Sequence, residues 1–237
     1  AKLISQFERE ANIAIGLDHP NIVKVYNFGK YHNQYAIIME YVNGTNLKEM
    51  LYQRNKLPLN ILIKILCEAG QGLAHIHKNN IVHKDVKPDN ILVSEDLSVV
   101  KITDFGIAKL PGRLWQKDIF PKGGTITKYG TISYVAPEQA QGNADFYSDI
   151  YSFGVTIDEV ITAKVEIPDE PEKNQEDYFR RIDIRSYRKN TGKQAILCED
   201  LKIPSELKEI IKKATRQEPF LRYQTMDELL LDLRKFL

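Results

Sequence analysis

Thiols are scarce in this chain of 237 residues, which has only two cysteines, Cys67 and Cys198. Two thiols so far apart make neither a disulfide framework nor a four-thiolate zinc site. Such sparing use is what a reducing, intracellular compartment leads one to expect, and a cytoplasmic location is the expectation here. Charge of one sign is also lacking. Against 33 Lys+Arg stand 32 Asp+Glu, a formal net charge of +1, so there is no electrostatic reason to expect a nucleic-acid or anionic-membrane partner. No apolar run approaches the ~18 residues of a membrane span, no signal-peptide pattern opens the chain, and there are no internal repeats or low-complexity tracts. What remains is 43% hydrophobic and 27% charged residues, the balance of an ordinary globular protein. The length suffices for one large domain or two small lobes.

The order of signals is α+β. Ser5 and Glu8 form a Ser-x-x-Glu capping box, and Phe7, Ala11 and Ala14 fall on one helical face. Glu10, three residues after Phe7, lies beside that face, where a carboxylate needs a partner. Leu17-Asp18-His19-Pro20-Asn21 stops this helix. Two β-rich runs follow, Ile22 to Phe28 and Tyr35 to Val42, joined by a hairpin connection over Gly29 to Gln34. From Leu47 the pattern turns helical, and Leu62, Ile65, Leu66, Ala69, Leu73 and Ile76 mark one face of a long helix from about Pro58 to Lys78. Short strands are expected at Ile91–Val93 and Val99–Thr103. Phe105 to Tyr134, rich in glycine and proline, reads as a long loop. Asp149 to Thr162 is apolar nearly all round, as a helix buried in the domain centre would be. After a polar stretch, Ala163 to Asp200, two amphipathic helices close the chain at Ser205–Arg216 and Met226–Leu237.

The chemistry concentrates in His83-Lys84-Asp85-Val86-Lys87-Pro88-Asp89-Asn90, followed by Asp104-Phe105-Gly106 and then Ala136-Pro137-Glu138. In this order the three motifs resemble those of the protein-kinase family, H-R-D-x-x-x-x-N, D-F-G and A-P-E, in the style of bacterial serine/threonine kinases. The resemblance runs from Ser5 to Leu237. It implies a two-lobed protein-kinase-like fold, with a partial N-lobe over residues 1–42 (one helix and two strands) and a mainly helical C-lobe over 43–237. It also implies transfer of the ATP γ-phosphoryl group to protein Ser/Thr hydroxyls, with Mg²⁺. Lys87-Pro88 in the loop, and Gly130-Thr131 ahead of Tyr134, favour serine/threonine over tyrosine substrates.

Phosphoryl transfer is mostly positioning and charge neutralisation. By the resemblance, Asp85 orients the attacking hydroxyl and accepts its proton, Lys87 neutralises the transferring phosphate, and Thr131 hydrogen-bonds near both. Asn90 and Asp104 hold Mg²⁺, a cation that takes few protein ligands and suits hard oxygen donors. Met39 is the gatekeeper, the Glu40 carbonyl and Val42 amide bond the adenine edge, Asn43 approaches the ribose, and Leu92 floors the adenine. Glu10 matches the glutamate that pairs with the nucleotide-binding lysine. Glu138 is expected to pair with Arg222, and Asp149 to bind backbone N–H groups of the loop around Asp85. His83 is expected to be a packed structural residue.

The sequence departs from the family pattern in two places. No G-x-G-x-x-G and no V-A-I-K is present, and Lys2 is the one candidate for the lysine. Either this is a piece of a fuller kinase, the favoured expectation, or a natural chain without the segment that covers the triphosphate; weak ATP binding and slow transfer are expected of it on its own. Lys84 replaces the usual arginine and offers a point charge in place of a bidentate fork. Thr125 and Thr127 are the candidate phosphosites, with Lys84, Lys122 and Lys128 as partners for the phosphate. The partners implied are ATP and a protein bearing Ser or Thr, and a dimer stays open. Two alternatives stand beside this reading: an interaction module on the same fold without transfer (a pseudokinase), and a small-molecule phosphotransferase.

Overall fold

A computed structural model describes residues 14–32, 34–53, 56–104, 134–164 and 202–237. The expectations on the helix after Ser5, on Lys2 and Glu10, on the loop bearing Thr125, Thr127 and Thr131, and on the polar stretch after residue 164 lie outside the described residues.

Two antiparallel strands come first, β1 (Val25–Tyr31) and β2 (Gln34–Met39), paired from Val25↔Met39 to Tyr31↔Gln34 with a bulge between Val25 and Asn27. The expected strand from Ile22 begins three residues later because Asn21 to Val23 pair elsewhere. Ile22 bridges Ile102 in parallel, Val23 N–H donates to Ile102 O at 2.9 Å, and Ile102 N–H donates to Asn21 O at 2.9 Å. The Asn21 amide donates to Val100 O at 2.9 Å. Strand pairing therefore continues to Tyr31 and Gln34, and the connection is shorter than the sequence suggests.

The second sheet is three-stranded, in the order β3 (Gly44–Asn46), β4 (Ile91–Ser94), β5 (Val100–Ile102), all antiparallel. Ile91, Val93, Val100 and Ile102 are buried on one face, whereas Leu92 and Lys101, opposite each other, are partly exposed on the other. This is the period-2 alternation of a sheet covered on one side. Asn46 Oδ1 accepts from Glu49 N–H at 2.8 Å and so caps α1 (Leu47–Gln53).

The core forms around two long helices, α2 (Leu59–Lys78) and, after a single turn α3 (Pro137–Ala140), α4 (Phe146–Lys164). On α2 the expected face is buried throughout. On α4 Ile150, Phe153, Ile157, Val160 and Ile161 are fully buried; each such side chain contributes roughly 1.5–3 kcal/mol. α2 also packs tightly on the Asn21 segment: a Cβ at Gly72 would overlap the Asn21 carbonyl oxygen. Helices α5 (Ser205–Ala214) and α6 (Met226–Leu233) close the fold. α6 starts where Thr225 Oγ1 accepts from Glu228 N–H at 3.2 Å, and tightens into a 3₁₀ turn over Arg234–Phe236, short of the expected end at Leu237. The arrangement is α+β, a small β-hairpin part joined to a larger, mainly helical one. Among the described residues no helix is long and apolar enough to cross a membrane.

Candidate active site

The segment between α2 and β4, residues 83–90, is fixed by buried polar contacts. His83 is fully buried; its Nε2 lies 3.0 Å from Thr103 O and its Nδ1 accepts from Asp85 N–H at 3.3 Å. A carbonyl can only accept and an amide can only donate, so the ring proton sits on Nε2. Burial pushes the His83 pKa below its ordinary value, against an opposing pull chiefly from Asp149. A neutral ring with both nitrogens engaged is a structural group, as the sequence suggested.

Asp149, in the first turn of α4, is fully buried. Its Oδ1 accepts from Lys84 N–H at 2.8 Å, and its Oδ2 accepts from His83 N–H at 2.7 Å and faces His77 Nε2 at 2.9 Å. Three donors converge on a carboxylate that would be prohibitive to bury alone. They hold Lys84 at φ 68°, a left-handed conformation that a non-glycine residue keeps only when its surroundings enforce it.

Asp85 comes next. Lys87 Nζ is 3.1 Å from Asp85 Oδ2, and Asn90 Nδ2 donates to Asp85 Oδ2 at 3.0 Å and to the Asp85 carbonyl at 2.7 Å. The turn Pro88–Asn90 closes with Asn90 N–H on Lys87 O at 3.0 Å, and Thr103 N–H donates to Asn90 O at 2.9 Å. That last bond carries the β4–β5 ladder one step on, so Asn90 and Asp104 stand at the same end of the hairpin. Asp104 is exposed, at φ 59°.

The donor set can be weighed for Mg²⁺. Because the Asn90 NH₂ is directed at Asp85, its Oδ1 is the end left to meet a cation. Asp104 supplies a second hard oxygen. Among the described residues no group of three or more His, Cys, Asp or Glu could hold a metal. Two oxygens without a full cage fit a cation that retains waters and bridges to phosphates.

Between β2 and β3 the chain runs through Glu40 to Asn43. Glu40 Oε1 pairs with Lys101 Nζ at 2.8 Å and its Oε2 accepts from Lys24 N–H at 2.8 Å. Glu40 N–H donates to Lys24 O at 2.8 Å. The carboxylate is thus occupied by the fold, while among the described residues the Glu40 carbonyl and the Val42 N–H carry no hydrogen bond. Met39 and Asn43 are exposed and Leu92 is partly buried. A cleft of about 510 Å³ lies between Glu40–Asn43 and the β4–β5 turn from Ser94 to Lys101. None of residues 83–90 lines it, so it is separate from the Asp85 loop. Within that turn, bonds from Ser94 and Ser98 hold the exposed Asp96 carboxyl down to about 2.

The segment from Tyr134 into α3 is anchored by a buried ion pair. Arg222, buried, meets Glu138 bidentately, Nη1 to Oε1 at 2.7 Å and Nη2 to Oε2 at 2.9 Å. It also donates to the carbonyls of Tyr147, Arg216 and Gln217. Burial raises the Glu138 pKa, but hydrogen bonds from Arg222 and Ser148 outweigh it, and the net shift is downward. The expected pair is therefore present. Further along α4, buried Glu159 accepts from the Tyr134 hydroxyl and pairs with Lys48 of α1.

A family model described as the protein kinase domain matches residues 1–232. The chain belongs to the protein kinase family. This kinase-family chain is 34% identical over 234 residues to the serine/threonine-protein kinase PrkC of Bacillus subtilis, covering 98% of this chain and 34% of that protein. It is 33% identical over 238 residues to the serine/threonine-protein kinase PknB of Mycobacterium tuberculosis, covering 96% and 35%, and 34% identical over 238 residues to a probable serine/threonine-protein kinase of Clostridium perfringens, covering 99% and 32%. It spans about a third of the length of these curated relatives. Among solved structures, the kinase domain of Mycobacterium tuberculosis PknI superposes with a TM-score of 0.69 at 21% identity, covering 100% of this chain and 80% of that one. That likeness shows the kinase fold.

Of the sequence-predicted site residues, the kinase fold gathers Asp85, Lys87 and Asn90 into one contact set. Asp104 stands at the adjoining strand end, and Met39, Glu40, Val42 and Asn43 line a separate edge, with Leu92 on the partly exposed face of β4. Sequence reasoning missed His77, Lys101 and Gln139. His77 sits at a helix end among other polar residues, and Lys101 is one polar residue of a three-residue strand, so neither stands out in the sequence.

Proposed function

We propose that this chain is a serine/threonine protein kinase domain that transfers the γ-phosphoryl group of ATP to Ser or Thr hydroxyls of a protein. The observation that carries the reading is the contact set of Asp85, Lys87 and Asn90 beside Asp104, in a chain of the kinase family. Asp85 orients the acceptor hydroxyl and takes its proton. Asn90, by donating to both the Asp85 carboxylate and its carbonyl, fixes that carboxylate's direction while keeping its own Oδ1 for a cation. Lys87 supplies positive charge to Asp85 and to the group in transfer. Asn90 and Asp104 would hold Mg²⁺, which when bound neutralises and orients the phosphates. The Glu40 carbonyl and Val42 N–H are one acceptor and one donor two residues apart, the pair an adenine edge requires. Met39, Asn43 and Leu92 would complete that pocket, with Glu10 and Thr131 acting as the resemblance implies. Residues 1–42 would form the N-lobe portion and 43–237 the C-lobe, working on the cytoplasmic side. Radiolabelled ATP with Mg²⁺ and a generic protein acceptor is the test. Label on serine or threonine, abolished by Asp85→Ala, is expected; equal labelling by wild type and Asp85→Ala would overturn the reading, and a fully inactive wild type that still binds nucleotide would favour the pseudokinase alternative.

A further inference from the structure

Gln139 occupies the third position of the single-turn helix α3, directly after Glu138, and is buried. Its Nε2 donates to the Lys84 carbonyl at 2.7 Å. Only the NH₂ end of an amide can meet a carbonyl, so this contact sets the side chain's orientation. The other end, Oε1, is then buried with no hydrogen-bond donor among the described residues. A buried polar atom left unsatisfied is a cost that calls for a compensating role. Methionine would fill the same space without that cost.

The role is visible in what the Lys84 carbonyl belongs to. The N–H of Lys84 is fixed by Asp149, the residue sits at φ 68°, and its carbonyl is the first half of the peptide leading into Asp85. Asp149 therefore holds one side of this left-handed residue and Gln139 holds the other. Without the second contact the 84–85 peptide loses its hold on the carbonyl side and keeps the longer His83–Asp85 bond, 3.3 Å, on its N–H side, so it can tilt and shift the Asp85 carboxylate against its contacts with Asn90 and Lys87. Gln139 is itself held in place because the neighbouring Glu138 is locked to Arg222. We infer that Gln139 is a positioning residue for Asp85, clamping the Lys84 carbonyl so that the segment anchored by Glu138 and Arg222 fixes the peptide from which the Asp85 carboxylate, directed by Asn90, projects. The inference rests on the kinase reading above.

Steady-state kinetics on the purified protein test it, with Asp85→Ala as the control. In Gln139→Met, kcat should fall on the order of tenfold or more, as misplacement of a reacting group requires, with the KM for ATP unchanged and thermal stability not lowered. Gln139→Glu gives a second, independent readout. Only its protonated carboxyl can donate to the Lys84 carbonyl, so its kcat relative to wild type should rise as pH falls. A wild-type kcat in Gln139→Met, or a Gln139→Glu deficit that does not change with pH, would overturn the clamp. If wild type and Asp85→Ala label the acceptor equally, it is the kinase reading that fails.

Discussion

The hairpin β1–β2 and the loop 83–90 are held by opposite means. The hairpin shows its side chains to solvent: Tyr26, Tyr31, Ile38 and Met39 are all exposed, and it is joined to the body through main-chain bonds and the Glu40–Lys101 pair. The loop has little regular structure, yet its backbone is gripped by Asp149, by His83 and by Gln139, all buried. Precision in this fold comes from buried side chains that accept or donate to loop backbone, because a loop has no ladder of its own to satisfy its polar groups. The hairpin has its ladder and needs no such support.

The contrast can be broken most forcefully at Asp149. Asp149→Ala leaves the buried His83 N–H and the Lys84 N–H without their acceptor, and urea denaturation should register a loss of roughly 3–5 kcal/mol together with loss of transfer. Arg222→Met strands the Glu138 carboxylate and three backbone carbonyls, with an expected loss of about 3 kcal/mol; Arg222→Lys should rescue little, since an ammonium lacks the fork. A smaller effect is expected from acid. His83 and Glu138 both have pKa values lowered by folding, so the unfolded chain binds protons more readily at each. Their contribution is complete above the unfolded values, 6.5 and 4.5, and fades as pH drops below them, first through His83 and then through Glu138. Thermal melts against pH should fall in that order, and His83→Gln should remove the earlier part. Where the hairpin joins the body the changes should be slight: about 1 kcal/mol or less for Lys101→Met, and within about 0.5 kcal/mol for Tyr41→Ser, whose side chain is 85% exposed. A large loss at Tyr41 would undo the contrast.

What could be read in the sequence follows from the same physics. Helices α2 and α4 were legible because one repeats apolar residues with helical spacing and the other is apolar nearly all round, and both are long. The strand β3, three residues long, is too short to carry a period. The start of β1 was misplaced because Ile22 and Val23 are as β-prone as the residues after them, and only the fold decides that they pair with β5. Within the site, Asp85, Lys87, Asn90 and Asp104 stood out through fixed spacing. Gln139 did not, since a glutamine after Pro-Glu at a helix start looks like any solvated polar residue, and its partner lies 55 positions away.

The parallel bridge between Ile22 and Ile102 has a mechanical side. The strand that receives the hairpin's incoming chain is the same strand whose next two residues are Thr103 and Asp104. With Gly72 of α2 pressed against Asn21, the incoming chain has no slack at this joint. A load on the exposed ribbon is therefore taken up by β5, through this bridge and through the Glu40–Lys101 pair, in the strand that runs directly into Asp104.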